Sequence, residues 1–270
     1  MDQQTNNKGL LAVSFGTSYP ETRRRTIEAI ENDLQRAFPD RRLYRAWTSG
    51  MIRRKLEKAE GLRILSVAET LEQMAADGVT DVLVQPTHLL NGEELERTRE
   101  TVRSFAGRFD TLSMGQPLLS CPADIAALAR AVEGIYGDLP HGELLALMGH
   151  GSAATTFPVY ELLEEQFRRD GFPHICIGTV EFTPGIAPVL ERVRRERPRW
   201  VHLAPLLVVA GDHAAGDMSG DDPDSWKNQI AGEGAEVVCH LSGLGEYEAV
   251  RALYVGHARR ACPVRGEETV

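Results

Sequence analysis

The sequence has few cysteines, no long apolar run and no basic block, and each absence excludes a class of protein. Its four cysteines are scattered without a CxxC pair, which is typical of free thiols in a reducing compartment rather than a disulfide framework. No apolar stretch approaches the roughly 20 residues that cross a bilayer, and the polar N-terminus does not resemble a signal peptide. We therefore expect a cytoplasmic protein with no membrane partner.

Motifs for nucleotide and hydrolase chemistry are also missing. The sequence contains no GxGxxG, GxxxxGK or GxSxG, which argues against a dinucleotide, a nucleoside triphosphate and an α/β-hydrolase. The formal net charge of -9 makes nucleic acid a poor candidate partner. What remains is a globular composition, 42% hydrophobic and 26% charged, that can bury a core.

Short apolar runs alternate with amphipathic stretches along the chain. The runs are nearly continuous hydrophobics, as in strands that are covered on both faces. Strand alternating with helix predicts an α/β fold whose parallel sheets are wound by right-handed crossovers. The predicted strands are residues 10–15, 42–47, 81–86, 112–114, 144–148, 174–180, 200–206 and 236–240.

Capping signals predict where helices begin and end. A capping box from Ser18 to Glu21 predicts the start of a helix over residues 21–38. A second capping box, from Ser66 to Glu69, opens another helix, and Gly78 is placed to end it.

The two halves of the chain resemble each other. LAVSFGTS at residues 11–18 is echoed by LALMGHGS at 145–152, and PTHLLNGEE at 86–94 is echoed by PLLVVAGDH at 205–213. Both matches occur in the same order, and the second pairs Glu94 with His213. This pattern predicts a duplicated unit.

The predicted architecture is two Rossmann-like lobes, each a doubly wound parallel sheet, related by pseudo-two-fold duplication. We place an N-terminal lobe over residues 1–137 and a C-terminal lobe, which carries the candidate histidines, over residues 138–270. A ligand cleft is expected at the carboxyl ends of the strands.

Three side chains of metal-binding type follow predicted strands of the second half. His150 lies between two glycines that let a ligand approach the imidazole, although a helix-capping histidine in a tight turn is the alternative. His213 lies in a long loop rich in Gly and Asp, which is either functional or a solvated acidic loop. Glu181 follows a third strand and alone would be an exposed loop carboxylate. Together, two imidazoles and one carboxylate suit a borderline divalent metal with open coordination positions.

Two further groups are candidates for binding an anionic ligand. The first precedes a predicted helix start, where backbone N–H groups bind anions. The second is basic and follows a strand end, where it either holds carboxylates or forms a solvated helix face. The candidate residues are Ser14, Phe15, Gly16, Thr17, Arg53 and Arg54.

Taken together, these segments resemble the anaerobic-type sirohydrochlorin cobaltochelatases, a branch of the class II chelatases related to ferrochelatase. The matching stretches cover nearly the whole chain, and several are specific to this family rather than to α/β proteins generally. They are VSFGTSY at 13–19, WTSGMI at 47–52, MGHG at 148–151, and residues 88–94, 209–218, 222–227 and 241–246.

The resemblance implies a chelatase-like fold that binds a tetrapyrrole between its lobes and inserts a divalent metal, Co²⁺, into sirohydrochlorin for cobalamin biosynthesis. The family's metal-binding histidines correspond to His150 and His213, and its acidic ligand to Glu181. A further cleft glutamate corresponds to Glu94, which we expect either to accept a proton or to line the path of the metal. The catalytic set is therefore expected to be His150, His213 and Glu94.

Substrate contacts are expected at His88 and Gly151 as well as at the anion-binding candidates. His88 is preceded by Pro86-Thr87, where this sequence departs from the family pattern. The expected partners are sirohydrochlorin and the metal, which is a substrate rather than a permanently bound cofactor. A homo-oligomer is compatible with the sequence.

Two alternatives to cobalt insertion stay open at this point. Insertion of Fe²⁺ or Ni²⁺ into the same macrocycle would use the same ligands, because cellular selection among divalent metals rests largely on their availability. A non-catalytic carrier of metal or tetrapyrrole would bind its ligand stoichiometrically, without turnover.

Overall fold

The computed structural model describes residues 7–151 and 158–266, and its strands form two separate sheets. Ser152 of the internal repeat lies outside these residues. The strands are β1 (Lys8–Ser14), β2 (Arg42–Trp47), β3 (Asp81–Pro86), β4 (Thr111–Met114), β5 (Leu144–Gly149), β6 (Ile175–Thr179), β7 (Trp200–Pro205), β8 (Glu236–Cys239) and β9 (Cys262–Pro263).

Amphipathic helices connect the strands. They are α1 (Pro20–Arg25), α2 (Ile27–Ala37), α3 (Gly50–Glu60), α4 (Val67–Ala76), α5 (Glu93–Ser104), α6 (Pro122–Tyr136), α7 (Val159–Arg169), α8 (Ala187–Glu196), α9 (Trp226–Gly232) and α10 (Glu248–Arg259). None of the helices within the described part of the chain combines the length and the apolar character that a bilayer crossing requires.

The first sheet has the order β2-β1-β3-β4-β9, in which β1 to β4 are parallel and β9 is antiparallel to β4. The central strand β1 is buried on both faces, as its apolar run predicts. The second sheet has the order β6-β5-β7-β8 and is parallel throughout.

The strand order is the same in both sheets apart from β9. Strand β5 takes the place of β1, and β7 takes the place of β3, which is the correspondence that the internal repeats predict. The duplicated α/β architecture is therefore confirmed. In each sheet the order reverses beside the central strand, and loops at the carboxyl ends of such strands are where open α/β sheets bind ligands.

The chain divides into two units at a different place from the predicted boundary at residue 137. The first unit takes the described residues up to Ser120 and from Arg251 onward, and the second spans Cys121–Val250. Helix α6 packs against α7 and so belongs to the second unit. The last segment belongs to the first unit because β9 pairs with β4 and the Tyr254 hydroxyl donates to the Thr87 carbonyl at 2.9 Å.

The predicted helix over residues 21–38 is interrupted at Thr26, and its predicted capping box is wrong. The Thr26 hydroxyl donates to the Thr22 carbonyl at 2.7 Å, a local bond that competes with the regular helix ladder. Tyr19 is the N-cap, without a side-chain cap, and the Ser18 hydroxyl instead accepts from Lys55 at 3.0 Å. The second capping box is confirmed, since the Ser66 and Glu69 side chains bond reciprocally to each other's backbone N–H.

Candidate metal centre

Three neighbouring strands of the second unit end in potential metal ligands. His150 directly follows β5, Glu181 comes two residues after β6, and His213 precedes a π-helical turn over Ala214–Met218 beyond β7. Because β6, β5 and β7 are adjacent and parallel, their carboxyl ends meet at one edge of the sheet.

The side chains of this metal-ligand trio, His150, Glu181 and His213, converge. One ligand atom from each side chain lies within 4.8 Å of the others, and in the part of the chain that the structure describes no other group of three acidic, His or Cys residues does so. The imidazole centroids are 5.0 Å apart and nearly perpendicular, at 80°. Glu181 is exposed and the His213 side chain is 35% exposed, so an ion can reach the trio from solvent.

Backbone bonds hold two of the three ligands beside each other. The Glu181 N–H donates to the His150 carbonyl at 2.9 Å, which continues the pairing of β6 with β5 past the end of both strands. Gly151 makes this close approach possible, because a Cβ there would lie 2.0 Å from the Glu181 carbonyl oxygen. Its φ of +89° is also in the region that favours glycine, and its N–H donates to the Tyr160 hydroxyl at 3.0 Å. This packing role stands beside the predicted substrate contact of Gly151, which stays a prediction.

Asp217 orients one of the imidazoles, and sequence reasoning missed it. His213 Nδ1 lies 2.7 Å from an Asp217 carboxylate oxygen, across the four-residue spacing of the π-helical turn. His150 Nδ1 lies 3.1 Å from the Gly151 carbonyl. A proton on Nδ1 of each ring makes both contacts hydrogen bonds and leaves Nε2 with a lone pair for a metal. The spacing from His213 to Asp217 was the signal available in the sequence.

Four of the predicted substrate-binding residues lie at the end of β1 and in the loop after it, and only some of their side chains are accessible. Ser14 is buried and accepts from the Thr87 hydroxyl at 2.8 Å, while Thr17 is buried and accepts from a backbone N–H. These two hydroxyls therefore serve the packing of the first unit. The Phe15 side chain is 51% exposed. Gly16 has a φ of +107°, and a Cβ there would collide with the Trp47 ring at 2.6 Å.

Arg53 and Arg54 line a pocket at the start of α3. The other charged residues of the pocket are Arg63, Glu57 and Glu69. One guanidinium nitrogen of Arg53 lies 3.0 Å from the Glu69 carboxylate. Three arginines against two glutamates leave an excess of positive charge, which suits a carboxylate ligand.

His88 and Glu94 both lie beyond the end of β3 in the first unit. Both ring nitrogens of His88 are buried without a hydrogen-bond partner among the described residues. Burial, with a smaller contribution from Arg99, lowers the pKa of His88 to about 4, so the ring is neutral near pH 7. Glu94 is partly exposed in the first turn of α5, with its carboxylate at the positive end of the helix dipole.

The sequence is similar along nearly its whole length to cobalt chelatases. A family model described as "Cobalt chelatase (CbiK)" matches residues 8–262. The sirohydrochlorin cobaltochelatase of Salmonella typhimurium is 41% identical over 261 residues, which cover 97% of this chain and 98% of that protein. The sirohydrochlorin cobaltochelatase CbiKC of Nitratidesulfovibrio vulgaris is 31% identical, over 94% of this chain and 90% of that protein.

Solved chelatase structures share the fold at much lower identity. SirB from Bacillus subtilis, determined with Fe³⁺, superposes with a TM-score of 0.65 at 12% identity, covering 94% of both chains. CbiX, described as the terminal enzyme of siroheme biosynthesis in denitrifying bacteria, gives a TM-score of 0.54 at 19% identity, over 94% of this chain and 99% of that one. At these identities the likeness establishes the α/β chelatase fold alone.

Proposed function

The chain belongs to the cobalt chelatase (CbiK) family, and from this premise we propose that it inserts Co²⁺ into sirohydrochlorin. The observation that carries the proposal is the convergence of His150, Glu181 and His213 within 4.8 Å at one edge of the second sheet. Full-length similarity to two sirohydrochlorin cobaltochelatases supports both the metal and the macrocycle.

The donor set suits the incoming metal. Two imidazoles and one carboxylate are borderline and hard ligands, which a divalent first-row ion such as Co²⁺ accepts. Three protein donors leave coordination positions open, as a site must if the ion is to pass on to pyrrole nitrogens. His150, Glu181 and His213 therefore strip part of the water shell and hold the ion for transfer.

Insertion exchanges the metal for two pyrrole N–H protons, so the site must also accept protons. The lone pair of a neutral imidazole binds either a metal or a proton. As His150 and His213 release the ion, each regains a lone pair, and either ring is then able to take up one of the two protons. Glu94 is the further proton acceptor in the proposal, and a general base of this kind contributes about 10²–10⁴-fold to the rate.

The negatively charged substrate requires positive partners, although the net charge of the chain is -9. Sirohydrochlorin carries carboxylates, and the pocket at Arg53 and Arg54 offers guanidinium groups with an excess of positive charge. The exposed ring of Phe15 offers an apolar contact in the same unit. His88, neutral and buried, is proposed to face the macrocycle without adding charge.

The proposal includes a cytoplasmic location. All four cysteines are free thiols, which fits a reducing compartment. Co²⁺ and sirohydrochlorin are the proposed substrates.

The test is an absorbance assay with purified protein, sirohydrochlorin and Co²⁺, Fe²⁺ or Ni²⁺ in turn. We expect repeated turnover with Co²⁺ and a loss of orders of magnitude in His150→Ala and His213→Ala, with the circular dichroism spectrum unchanged. His174→Ala is a matched control, since His174 belongs to the same unit but precedes β6 rather than following it. Stoichiometric binding without release would identify a carrier, and near-normal rates in either active-site variant would reject the assigned ligands.

A further inference from the structure

Phe182 is a large aromatic side chain that the second unit leaves in solvent. It directly follows the proposed metal ligand Glu181, and it is 53% exposed. Burying an aromatic side chain is worth about 1.5–3 kcal/mol, so leaving it exposed forgoes stability that a folded chain would ordinarily gain. Within the described residues of this unit, Leu241 is the only other exposed large hydrophobic side chain.

The backbone at Phe182 is also unfavourable for its residue type. Its φ of +63° lies in the left-handed region, which glycine enters freely and a bulky side chain enters at a cost. The loop is held there by Thr179, whose hydroxyl donates to the Phe182 carbonyl at 3.2 Å and accepts from the Gly185 N–H at 3.1 Å. An exposed aromatic in a strained conformation does not stabilise the fold, and such outliers cluster at ligand sites.

The Phe182 ring lies next to the metal-ligand trio. A Cβ built on Gly151 would be 3.3 Å from Phe182 Cδ2, so the ring borders the loop that also carries His150. Glu181 precedes it in the chain and bonds through its N–H to His150. The ring therefore lies at the junction of the two loops that carry His150 and Glu181, with about half of the residue's surface accessible.

We propose that Phe182 is a substrate-positioning residue whose ring packs against the flat conjugated macrocycle as the macrocycle receives the metal. This inference rests on the proposed chelatase function and adds to it a contact that sets where the macrocycle lies relative to the ion. A planar aromatic face packs well on a planar π-system, and the contact buries the surface that the free protein exposes. The strain at φ +63° is tolerated because it directs the ring toward this ligand.

Three substitutions separate the contributions of the aromatic ring, the side-chain volume and the backbone strain at Phe182. Phe182→Tyr keeps the aromatic face, Phe182→Leu keeps apolar volume without it, and Phe182→Gly removes both the side chain and the strain. Phe172→Leu is the matched control, because Phe172 precedes β6 at its opposite end, where its ring packs 5.8 Å from His174. Each protein is titrated with metal-free sirohydrochlorin by absorbance, and separately with Co²⁺ by calorimetry.

We expect Phe182→Leu to raise the Kd for sirohydrochlorin about tenfold, the loss typical of one aromatic contact, with the Kd for Co²⁺ unchanged. Phe182→Tyr and Phe172→Leu should bind the macrocycle as the wild type does. Phe182→Gly should bind it more weakly still while its Tm rises by about 2–4 °C, because the strain is gone. A merely structural residue would not show this opposite movement of stability and affinity.

Two results would overturn the inference. One is an unchanged macrocycle Kd in both Phe182→Leu and Phe182→Gly. The other is a loss of Co²⁺ affinity as large as the loss of macrocycle affinity, which would make Phe182 a support for Glu181 instead. Failure of the proposed function looks different, since wild-type protein would then not metallate sirohydrochlorin with Co²⁺ at all.

Discussion

Replacing Gly151 by alanine tests whether the close approach of two loops places a metal ligand. Gly151 has a φ of +89°, and a Cβ there would lie 2.0 Å from the Glu181 carbonyl oxygen. The substitution therefore has two effects, a backbone strain at Gly151 itself and a collision that displaces the Glu181 loop.

The two effects differ in size and in what they change. Holding alanine in the left-handed region costs about 1–2 kcal/mol of folding free energy. Relieving the collision requires the Glu181 backbone to move by over an ångström, since ordinary contacts begin at 3.4 Å. A displacement of about 1 Å at a reacting group costs about 10²-fold in rate. We expect kcat/KM for cobalt insertion to fall about 100-fold and Co²⁺ binding to weaken.

Gly171→Ala provides the comparison, because Gly171 lies in the same unit with a φ of +91° and no described atom within 4 Å of an added Cβ. Both variants carry the same backbone cost, so urea unfolding should show a loss of stability in each, larger in Gly151→Ala by the cost of the collision, about 1–3 kcal/mol. Calorimetric Co²⁺ titration and the insertion assay should then separate them. Equal Co²⁺ affinity and equal kcat/KM in Gly151→Ala and Gly171→Ala would show that the position of Glu181 does not affect metal binding.

Three further predictions concern the charged and titratable residues. Asp217→Ala should lower Co²⁺ affinity about 10–100-fold, because the His213 ring loses the hydrogen bond that orients it. Asp217→Asn keeps an oxygen acceptor and should lose less affinity. Wild-type affinity in Asp217→Ala would contradict this role of Asp217. The pKa of His88 falls from 6.5 to about 4 in the folded chain, so below pH 6.5 only the unfolded chain takes up this proton. The free energy of unfolding should therefore drop by up to about 3 kcal/mol between pH 6.5 and pH 4. Urea unfolding of His88→Leu should show a smaller fall of stability over this pH range than the wild type does. An equal fall in the variant would show that His88 is not the group responsible. The combined change Arg53→Ala and Arg54→Ala should raise the KM for sirohydrochlorin about tenfold with kcat little changed, and an unchanged KM would remove these arginines from the substrate site.

Local patterns predicted most of the secondary structure. Strands β2 and β3 have the predicted bounds, because short apolar runs are signals contained in a few neighbouring residues. The internal repeats predicted that the two sheets would share a strand order, and they do. The sequence predicted this long-range feature because the same pattern of residues occurs in both halves of the chain.

The elements that were missed depend on partners far away in the chain. Strand β9 is two residues long and exposed, so no apolar pattern predicts it. It is a strand because it pairs with β4. The predicted lobes, divided at residue 137, differ from the observed units for a similar reason, since helix α6 packs against α7 of the second unit and the last segment returns to the first unit. The break at Thr26 is the exception, since its cause is local: the Thr26 hydroxyl donates to the Thr22 carbonyl four residues earlier.

By itself, the sequence determined where the strands run, that the unit is duplicated, and that His150, Glu181 and His213 each follow a strand, because apolar periodicity records burial locally. Only the tertiary structure decided that these three side chains meet within 4.8 Å and that the Ser14 and Thr17 hydroxyls turn inward. It also decided that Asp217 bonds to His213 and that Phe182 is held in solvent beside them. The physical reason is that convergence depends on which parallel strands become neighbours and on the φ and ψ of the loops after them, and long-range packing sets both.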